Sequence, residues 1–373
     1  MREGDETPPL AEQFLAFSRT AARDGSPLYE EICAGIAGND ELLELVECSP
    51  ADQRRPNLIL AAVHFLLLAG ADDDLGRHYD TVCEFRGLGP ATAATGPVFA
   101  EFLVFCRSQR DPIAGLLATR ATQTNEIGRC TALLPAFAAV ARAHPDRPLG
   151  LVDLGASAGL NLVFDRYAYD YGDGRRPGDQ GSPVHLTCEL RGPAAPPLGL
   201  ARVAARVGLD RRPIDPADEE GRRWLLACQW PGHLARFRRL RDALAVAIGG
   251  PGPPRVMTGD MVDDLAPVAT GIPESAHLCL YHSWVAAYLT PARQRALVAA
   301  VEEVAARRPV SWIFAESPAE TPGLPIPPPP GEAPERGATT LVLVQATGRA
   351  LGAHRLADMH HHGSWLRWWG HDG

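Results

Sequence analysis

The sequence predicts an α/β protein in which an N-terminal all-helical domain precedes a Rossmann-like, doubly wound, mostly parallel sheet. Up to about residue 145, apolar residues recur at helical spacing. From Gly150 onward, short β-rich runs alternate with helical ones, which is typical of parallel strands joined by crossover helices. At the junction, residues 149–161 form an apolar run that ends in an acid and enters a loop of small residues, Leu-Gly-Leu-Val-Asp-Leu-Gly-Ala-Ser-Ala-Gly-Leu-Asn.

The N-terminal region, residues 1–145, is predicted to be a helical cap domain. Three- and four-residue spacing of apolar side chains indicates helices at 10–22, 26–37, 40–46, 56–69, 101–108 and 125–142. The pairs Ser26-Pro27 and Asn39-Asp40 are typical helix starts, because a small polar side chain caps free N–H groups and proline suits the first turn. No strand is expected before Gly150.

The remaining residues, 146–373, are predicted to form the sheet and the helices that cover it. Seven strands are expected, at 149–154, 184–189, 255–258, 277–281, 310–315, 340–345 and 350–358, with helices at 157–164, 219–247 and 291–307. The last two strands are joined by a short turn, which predicts an antiparallel hairpin at one sheet edge. A helical, arginine-rich insertion is expected at about 200–250 and a proline-rich surface loop at 318–337.

Composition excludes several classes of function. The formal net charge of −9 is wrong for a groove that follows phosphates, so a nucleic-acid partner is not expected. The longest apolar stretch, 58–69, is too short to span a bilayer, and the first residues do not form a signal peptide. The eight cysteines contain no C-x-x-C pair, which favours a reducing cytoplasm over a disulfide framework or a zinc site.

The sequence contains no lysine, so all 36 residues in the combined count of lysine and arginine are arginines. A P-loop, a protein kinase and a pyridoxal enzyme each depend on a lysine for phosphate binding or for a Schiff base. These three classes are therefore not expected.

The small-residue loop allows three interpretations from its residues alone. It is a binding turn for a nucleotide-like cofactor, a hydrolase elbow in which Gly-Ala-Ser157-Ala-Gly satisfies G-x-S-x-G, or a tight connection without ligand. A hydrolase would use His282, His360 or His362 as the partner of Ser157. The absence of strands and of an oxyanion motif upstream argues against it but leaves it open.

The strand order together with the turn Asp153-Leu-Gly155-Ala-Ser157-Ala-Gly159 resembles the core of class I S-adenosylmethionine-dependent methyltransferases. Ser157 stands where that family often has glycine or cysteine. The resemblance implies a methyltransferase-like sheet with S-adenosylmethionine as the cofactor. Asp153 would then orient its methionine part, and the turn, with Asn161 following it, would complete the binding segment.

A resemblance that runs nearly end to end is to the bacterial domain-of-unknown-function family two-three-three-two. Three stretches carry it: Thr-Arg-Ala-Thr-Gln-Thr-Asn-Glu-Ile-Gly-Arg-Cys at 119–130, Gly-Ala-Ser-Ala-Gly-Leu-Asn-Leu at 155–162 with Asp-Arg-Tyr at 165–167, and His-Gly-Ser-Trp-Leu-Arg-Trp at 362–368. This resemblance implies a fold and not an activity.

Other strand ends should supply the remaining contacts, because ligands of such sheets bind outside the carboxyl ends of the strands. An acid after the second strand would accept hydrogen bonds from the ribose hydroxyls; Glu189 is expected there, with Asp170 as the alternative. Asp260 would meet the adenine. His282, after the fourth strand, would be the general base, and Glu316, after the fifth, is the alternative base.

Polar residues before a helix of the cap domain, Gln123, Asn125, Glu126 and Arg129, are expected to contact substrate. Near the C-terminus, His362 and Trp365 are expected to close the pocket, and the His360–His362 run is not expected to bind a metal, because adjacent side chains on an extended segment point to opposite sides. The leading prediction is methyl transfer to a small molecule. A serine hydrolase, a non-catalytic binding protein of the same fold and a purely structural protein remain as alternatives.

Overall fold

A computed structural model describes residues 8–91, 97–192, 194–250, 252–331, 335, 337–348 and 350–370. Their contacts divide the chain into two compact units. The first unit comprises Met1–Thr124 and Glu219–Arg241, and the second comprises Asn125–Asp218 and Asp242–Gly373.

The helices, in chain order, are α1 Leu10–Arg23, α2 Pro27–Ala37, α3 Asp40–Val46, α4 Pro56–Leu68, α5 Asp73–Gly76, α6 Asp80–Arg86, α7 Val98–Ser108, α8 Arg110–Thr119, α9 Cys130–Ala143, α10 Glu219–Ala227, α11 Leu234–Gly249, α12 Leu265–Thr270 and α13 Pro291–Ala305. Short 3₁₀ helices occupy Ala51–Gln53, Ile127–Arg129, Leu160–Arg166 and Ala286–Tyr288. The predicted helix 219–247 is broken between α10 and α11, at Trp230-Pro231-Gly232, because proline and glycine interrupt the helical hydrogen bonds. The predicted helix 157–164 is a 3₁₀ segment that begins later.

The strands are β1 Leu149–Leu154, β2 Ala168–Asp170, β3 His185–Thr187, β4 Glu189–Arg191, β5 Val203–Asp210, β6 Val256–Thr258, β7 His277–Ser283, β8 Val310–Glu316, β9 Thr339–Thr347, β10 Ala350–Met359 and β11 Trp365–Trp368. Nine of them form one sheet in the order β4-β11-β10-β9-β8-β7-β1-β5-β6, while β2 and β3 form a separate parallel pair. The α/β class with a mostly parallel sheet is therefore confirmed, and no described residue before Leu149 lies in a strand.

The sheet differs from the prediction in three places. Strand β5, which pairs in parallel with both β1 and β6, was predicted as part of a helical insertion. The predicted strand 184–189 is split between β3 in the small sheet and β4 at the outer edge of the large one. The predicted hairpin is present as β9 and β10, but it is not at the edge, because β11 and then β4 continue the sheet beyond it.

The two faces of the large sheet pack against different elements. One face, with Val152, Leu280 and Trp312, packs on residues of α12 and α13 in a fully buried apolar cluster. On the other face, Phe137 of α9 contacts the rings of Phe164 and Tyr281 at centroid distances of 4.7 and 5.0 Å. Successive side chains of a strand point to opposite faces, so neighbouring strand-end residues belong to different environments.

The first unit is built around α4, in which eleven of thirteen residues are buried. Its buried His64 joins three segments: Nδ1 lies 3.0 Å from the carbonyl oxygen of Ala227, and the Thr81 hydroxyl lies 2.8 Å from Nε2. Burial lowers the pKa of His64 to about 4, which the backbone hydrogen bonds only partly oppose. A neutral imidazole that donates from Nδ1 and accepts at Nε2 satisfies both contacts.

A single short connection crosses most of the sheet. Strand β4 ends at Arg191 on the outer edge, and the next strand, β5, begins at Val203 beside β1, seven strand spacings away. At about 4.8 Å per strand this distance is roughly 34 Å. Twelve residue steps of a polyproline-like chain, such as Pro196-Pro197 favours, cover about 37 Å. A connection of this length, which we call the strap, can therefore span that distance only in a largely extended form.

The proline-rich segment 318–337 joins β8 to β9 without a helix or strand in its described part; residues 332–334 and 336 lie outside the described residues. Gln294, fully buried on α13, anchors this segment to the helix. Its amide oxygen accepts a hydrogen bond from Gly323 N at 2.9 Å. All eight cysteines are free thiols. None of the described helices is both long and apolar enough to cross a membrane.

Candidate functional site

The carboxyl end of β1 lies where the strand order runs in opposite directions, toward β5 and β6 on one side and toward β7 and β8 on the other. In open α/β sheets this switch point leaves a crevice between the loops, and ligands bind there. All six residues of β1 are buried, and the chain leaves it through residues 155–159, which we call the glycine turn. Gly155 and Gly159 take positive φ angles of 79° and 72° there, which glycine adopts without steric cost.

Three buried polar side chains at this point have atoms without a hydrogen-bond partner among the residues that the structure describes. They are Asp153 Oδ2, Ser157 Oγ and the Tyr281 hydroxyl, on residues that are at most 4 % exposed. Burial raises the pKa of Asp153 to about 8; the nearby Tyr281 hydroxyl acts in the opposite direction, and the Asp210 carboxylate raises it further. Buried polar groups are normally paired, so this concentration of unpaired atoms points to a missing polar ligand or ordered water.

The acid that follows the strand beside β1 is Asp210. One of its carboxylate oxygens accepts a hydrogen bond from Ser157 N at 2.8 Å, and the other accepts from Arg212 N at 2.8 Å. The sequence placed Glu189 in this position, with Asp170 as the alternative, and both positions are wrong. Glu189 belongs to β4 at the opposite edge of the sheet, and Asp170 belongs to β2 in the small sheet.

The glycines of the turn are required by internal packing. A Cβ on Gly155 would lie 2.4 Å from Val285 Cγ2, and a Cβ on Gly159 would lie 2.8 Å from Pro254 Cγ. The space beside these two glycines is therefore filled by the chain's own side chains. Any ligand must contact the polar groups around the turn instead.

Two residues with side chains adopt the left-handed backbone region in the described part of the chain, Ser157 and Trp284, each with φ of 54°. They follow the neighbouring strands β1 and β7, so both lie at the switch point. Such a conformation costs about 1–3 kcal/mol for a residue other than glycine, and these costs concentrate at functional sites. The strain therefore marks the same place as the unpaired polar atoms.

A second group of predicted residues meets beside these strand ends. Arg129, 6 % exposed, donates from Nε to the carbonyl oxygen of His361 at 3.0 Å and from a terminal nitrogen to that of Ser283 at 3.1 Å. Its guanidinium lies 6.0 Å from the centre of the Trp284 ring. Residues predicted from two distant parts of the sequence thus form one wall, which we call the Arg129 wall.

Glu126 and His362 belong to the same wall. The Glu126 carboxylate is 3 % exposed at its side chain, and its Oε2 lies 3.3 Å from Nδ1 of His362. Its other oxygen accepts a hydrogen bond from Gly128 N at 2.9 Å, so it also caps the 3₁₀ helix Ile127–Arg129. Asn125 donates to the carbonyl oxygen of Ala156 in the glycine turn at 3.4 Å.

The backbones of this wall touch at two glycines that the sequence analysis did not single out. A Cβ on Gly128 would lie 2.2 Å from the carbonyl oxygen of His362, and a Cβ on Gly363 would lie 2.0 Å from that of Gly128. The Thr131 hydroxyl lies 2.8 Å from the carbonyl oxygen of Gly128 and 2.9 Å from that of Gly363, and donates to either. The contact explains why both stretches are rich in glycine and small polar residues.

Three predicted residues have other positions. Trp365, on β11, stacks under the guanidinium of Arg191 at 4.8 Å, near the outer edge of the sheet. Gln123 is grouped with the first unit. Asn161 uses its side-chain oxygen to accept from the Cys130 thiol at 3.3 Å.

Asp260 does follow β6, as predicted, but its carboxylate is engaged. It accepts from Arg211 Nε at 2.9 Å, from Arg293 at 2.6 Å and from Val262 N at 2.8 Å. Burial would raise the pKa of Asp260, but the hydrogen bonds from the Val262 backbone and from Arg211 outweigh it and lower the pKa. These contacts give Asp260 a structural role in fixing the loop after β6.

His282 and Glu316, the two predicted bases, form a fully buried pair. His282 Nδ1 lies 2.7 Å from Glu316 Oε1, which also accepts from Val285 N at 3.0 Å and from Ala286 N at 3.1 Å. The imidazole ring stacks on the ring of Phe314 with an interplanar angle of 9°. Both rings lie on the sheet face that packs against α12 and α13. Because both side chains are 0 % exposed and lie on the face opposite Asp153, they do not reach a ligand beside Asp153 in this structure.

The serine-hydrolase interpretation finds no geometric support. Ser157 Oγ has no hydrogen-bond partner in the described part of the chain, whereas a nucleophilic serine needs a base within hydrogen-bonding reach. His282, one of its three predicted partners, is engaged with Glu316 on the opposite face. Within the described residues, no three histidine, cysteine or acidic side chains are grouped so that they would hold a metal ion.

Comparison with known proteins identifies a family and a weak likeness to solved structures. A family model described as "Uncharacterized protein conserved in bacteria (DUF2332)" matches residues 11–368. The crystal structure of magnesium protoporphyrin IX methyltransferase (ChlM) from Synechocystis PCC 6803 with bound SAM matches with a TM-score of 0.26 and 11 % identity, over 62 % of this chain and 82 % of that chain. No curated protein matches the chain.

Proposed function

This chain belongs to the DUF2332 family of bacterial proteins, and we propose that it binds S-adenosylmethionine at the carboxyl end of β1 and transfers its methyl group to a small-molecule acceptor. One observation carries the proposal. The unpaired buried atoms of Asp153, Ser157 and Tyr281 lie at the same switch point as the strained residues Ser157 and Trp284.

The polar groups around the turn suit such a cofactor. Asp210 ends the strand beside β1, and its two present hydrogen bonds leave acceptor capacity for ribose hydroxyls. Asp153, with the hydroxyls of Ser157 and Tyr281, offers acceptors and donors for the amino-acid end. The glycines do not contribute space, because Val285 and Pro254 close them. The fit therefore depends on the acids and hydroxyls.

The bound cofactor would supply the electrophilic methyl group, so the protein would contribute mainly alignment. The Arg129 wall, joined to the carboxyl end of β7, would orient the acceptor. Its Trp284 ring offers a flat apolar surface and its guanidinium offers a positive charge. The net charge of −9 favours a small metabolite over a nucleic acid as the acceptor.

Calorimetric titration with S-adenosylhomocysteine tests the proposal. For the wild type we expect a dissociation constant of tens of micromolar or below, about −6 kcal/mol or more favourable. Asp210→Asn should weaken binding about tenfold or more, because an amide replaces one of the acceptor oxygens. Glu189→Gln, at the far edge of the sheet, is the matched control and should bind as the wild type does. A wild type that shows no binding heat and no thermal shift would overturn the proposal.

A non-catalytic cofactor-binding protein is the second candidate, and the complete burial of His282 and Glu316 favours it. Incubation with methyl-labelled S-adenosylmethionine and a bacterial small-molecule extract separates the two functions. Methyl transfer predicts a labelled product whose yield falls, at a cofactor concentration near the wild-type dissociation constant, when Asp210→Asn replaces the wild type. Cofactor binding without any labelled product would support the non-catalytic alternative.

A further inference from the structure

We propose that Arg147 and Arg308 form a binding site for a doubly charged oxyanion, which is the phosphate ion or the phosphate group of a small molecule. Arg147 lies two residues before β1 and Arg308 lies two residues before β8, so both are at the amino end of the parallel strands. Along β1, at about 3.3 Å per residue, this end is roughly 16 Å from the glycine turn. The inference therefore does not depend on the proposed function, which concerns the carboxyl end.

The two guanidinium groups are held side by side by the loop between α12 and β7. Arg147 Nη2 donates to the carbonyl oxygen of Ala276 at 2.8 Å, and Arg308 Nη2 donates to the same oxygen at 2.6 Å. Arg308 also donates from Nη1 to the carbonyl oxygen of Ile272 at 2.9 Å and from Nη2 to that of Pro273 at 3.1 Å. These backbone contacts fix both side chains, and the shared oxygen keeps the two positive charges close together.

The charges of this arginine pair are not balanced by a carboxylate, although the chain has 45 acidic residues. Within the described residues neither arginine forms an ion pair. Glu274, the acid whose charge acts on Arg308, is exposed and forms no ion pair with it. In contrast, Arg307, the preceding residue, pairs with Glu303 at 3.1 Å. Because carbonyl groups carry only partial charges, two adjacent guanidinium groups without a counter-charge favour the binding of an anion.

Each guanidinium group of the pair also keeps one nitrogen for a ligand. Among the described residues, Arg147 Nη1 and Arg308 Nε form no hydrogen bond, and neither atom is buried. Nη1 carries two N–H groups and Nε carries one, so three donors on two fixed groups are available to the oxygens of an anion. Guanidinium groups suit phosphate oxygens, because their planar donors need little further ordering on binding.

Two stacked histidines beside the arginine pair add a dependence on pH. The rings of His144 and His277 have centroids 3.6 Å apart, so His144 faces this ring as well as the Arg147 guanidinium. Burial and the charge of Arg147 lower the pKa of His144. For His277, burial comes first and the nearby positive groups, Arg308 among them, add to it, lowering the pKa to about 3. A bound anion would offset these charges, so His144 would take up a proton more readily when the site is filled.

Calorimetric titration of the wild type with inorganic phosphate, at pH 7.0 and at an ionic strength held constant with chloride, tests the site. We expect saturable binding with a dissociation constant of about 1 mM or below. Glycerol 3-phosphate, a phosphate monoester, distinguishes the two sources of the anion. Tighter binding of the ester indicates a phosphorylated small molecule, and tighter binding of phosphate indicates the free ion. If neither binds saturably, the site does not exist.

Arg308→Gln should weaken phosphate binding about tenfold or more, because the site loses one charge and one donor. Arg307→Gln, which removes an exposed arginine that is paired with Glu303, serves as the control and should bind as the wild type does. Equal affinities of Arg308→Gln and the wild type would contradict the inference.

A further measurement needs only the wild type, so it holds even if Arg308→Gln does not fold. Sulfate keeps its double charge between pH 5.5 and 7.5, so any change in its affinity over this range comes from the protein. The affinity for sulfate should rise several-fold as the pH falls from 7.5 to 5.5, because His144 takes up a proton on binding. An affinity that stays constant or falls over this range would count against the inference.

Discussion

At the scale of single residues, two glycines allow the Arg129 wall to form. Gly128 and Gly363 bring two backbones so close that a Cβ on Gly363 would lie 2.0 Å from a carbonyl oxygen. The atom that such a Cβ would meet belongs to a backbone carbonyl group, which cannot move aside as a flexible side chain could. The positions of Glu126 and His362 therefore depend on these glycines as well as on their own side chains.

Gly363→Ala should lower the free energy of unfolding by about 3 kcal/mol or more, because the new methyl group overlaps the carbonyl group of Gly128. Gly172→Ala is the matched control: Gly172 has a similar φ of 73°, but a Cβ there would meet no atom within 4 Å. In the control, the free energy of unfolding should fall by only about 1 kcal/mol, which is the cost of placing alanine in the left-handed backbone region. Urea denaturation of both variants measures the difference, and equal losses would contradict the role of the backbone contact.

The sequence identified many of these residues but not all of their partners. Glu126 and Arg129 were predicted to contact substrate because polar residues are dense around them, and His362 was predicted to close the pocket; the fold brings the three together. The contact of Glu126 with His362 was not predicted, because more than two hundred residues separate them along the chain. Tyr281 and Trp284 were not selected either, because nothing local in the sequence shows that their surroundings are unusual.

At the scale of elements, strand β5 was the main element that the sequence analysis missed. Only residues 207–209 of its eight residues are buried in a run, and the four arginines within or beside it, at 202, 206, 211 and 212, suggested a helical surface. In fact Arg206 forms two hydrogen bonds of 2.6 Å with the carboxylate of Asp165, which lets a charged residue lie in a strand. Missing β5 led directly to the wrong strand-end acid, Glu189 instead of Asp210.

One carboxylate oxygen of Glu316 anchors the start of the 3₁₀ helix after β7, Ala286–Tyr288. Glu316→Ala should lower the free energy of unfolding by about 3 kcal/mol or more, because His282 Nδ1, Val285 N and Ala286 N would all lose their buried acceptor. Glu316→Gln keeps an oxygen in that place and should lose clearly less. Thermal and urea unfolding distinguish the two variants. Equal destabilisation would show that the negative charge matters more than the hydrogen bonds.

At the scale of the whole molecule, two buried histidines with lowered pKa values and one buried acid with a raised pKa set the pH of greatest stability. Burial lowers the pKa of His64 to about 4; burial and the nearby His144 lower that of His277 to about 3, from an ordinary value of 6.5. Unfolding therefore takes up protons below pH 6.5, and stability falls as the pH falls through that range. Asp153, with its pKa raised to about 8, does the opposite: stability falls as the pH rises from about 4 toward 8.

The two effects together predict a maximum of stability near pH 6.5. Below it the two histidines outweigh the single acid, and above it only the acid contributes to the slope. Melting temperatures between pH 5 and 8.5 should follow this curve, and Asp153→Asn should flatten its alkaline side while leaving its acid side in place. A variant whose melting temperature still falls between pH 6.5 and 8 would contradict the role given to Asp153.

The fold class followed from the sequence because alternation of strands and helices is a local pattern repeated along more than two hundred residues. The outer edge of the sheet did not follow, because β11 and β4 are short and β4 pairs with a strand remote from it in the chain. The turn at 155–159 was located correctly, because its pattern of small residues is local. The side chains that fill its glycine positions, Val285 and Pro254, were not predicted, because they come from distant parts of the chain.

The strap sets a mechanical limit on how this sheet can change. Its twelve steps between Arg191 and Val203 nearly equal the width of sheet that they traverse, so chain length here is fixed by distance and not by the identity of its side chains. Deleting two or three residues would detach β4 from the outer edge, since its three residue pairs with β11 resist less than the six pairs of β5 with β1. Inserted residues could loop out into solvent without disturbing the strands. We therefore expect related proteins to have a connection of this length or longer, and not a shorter one.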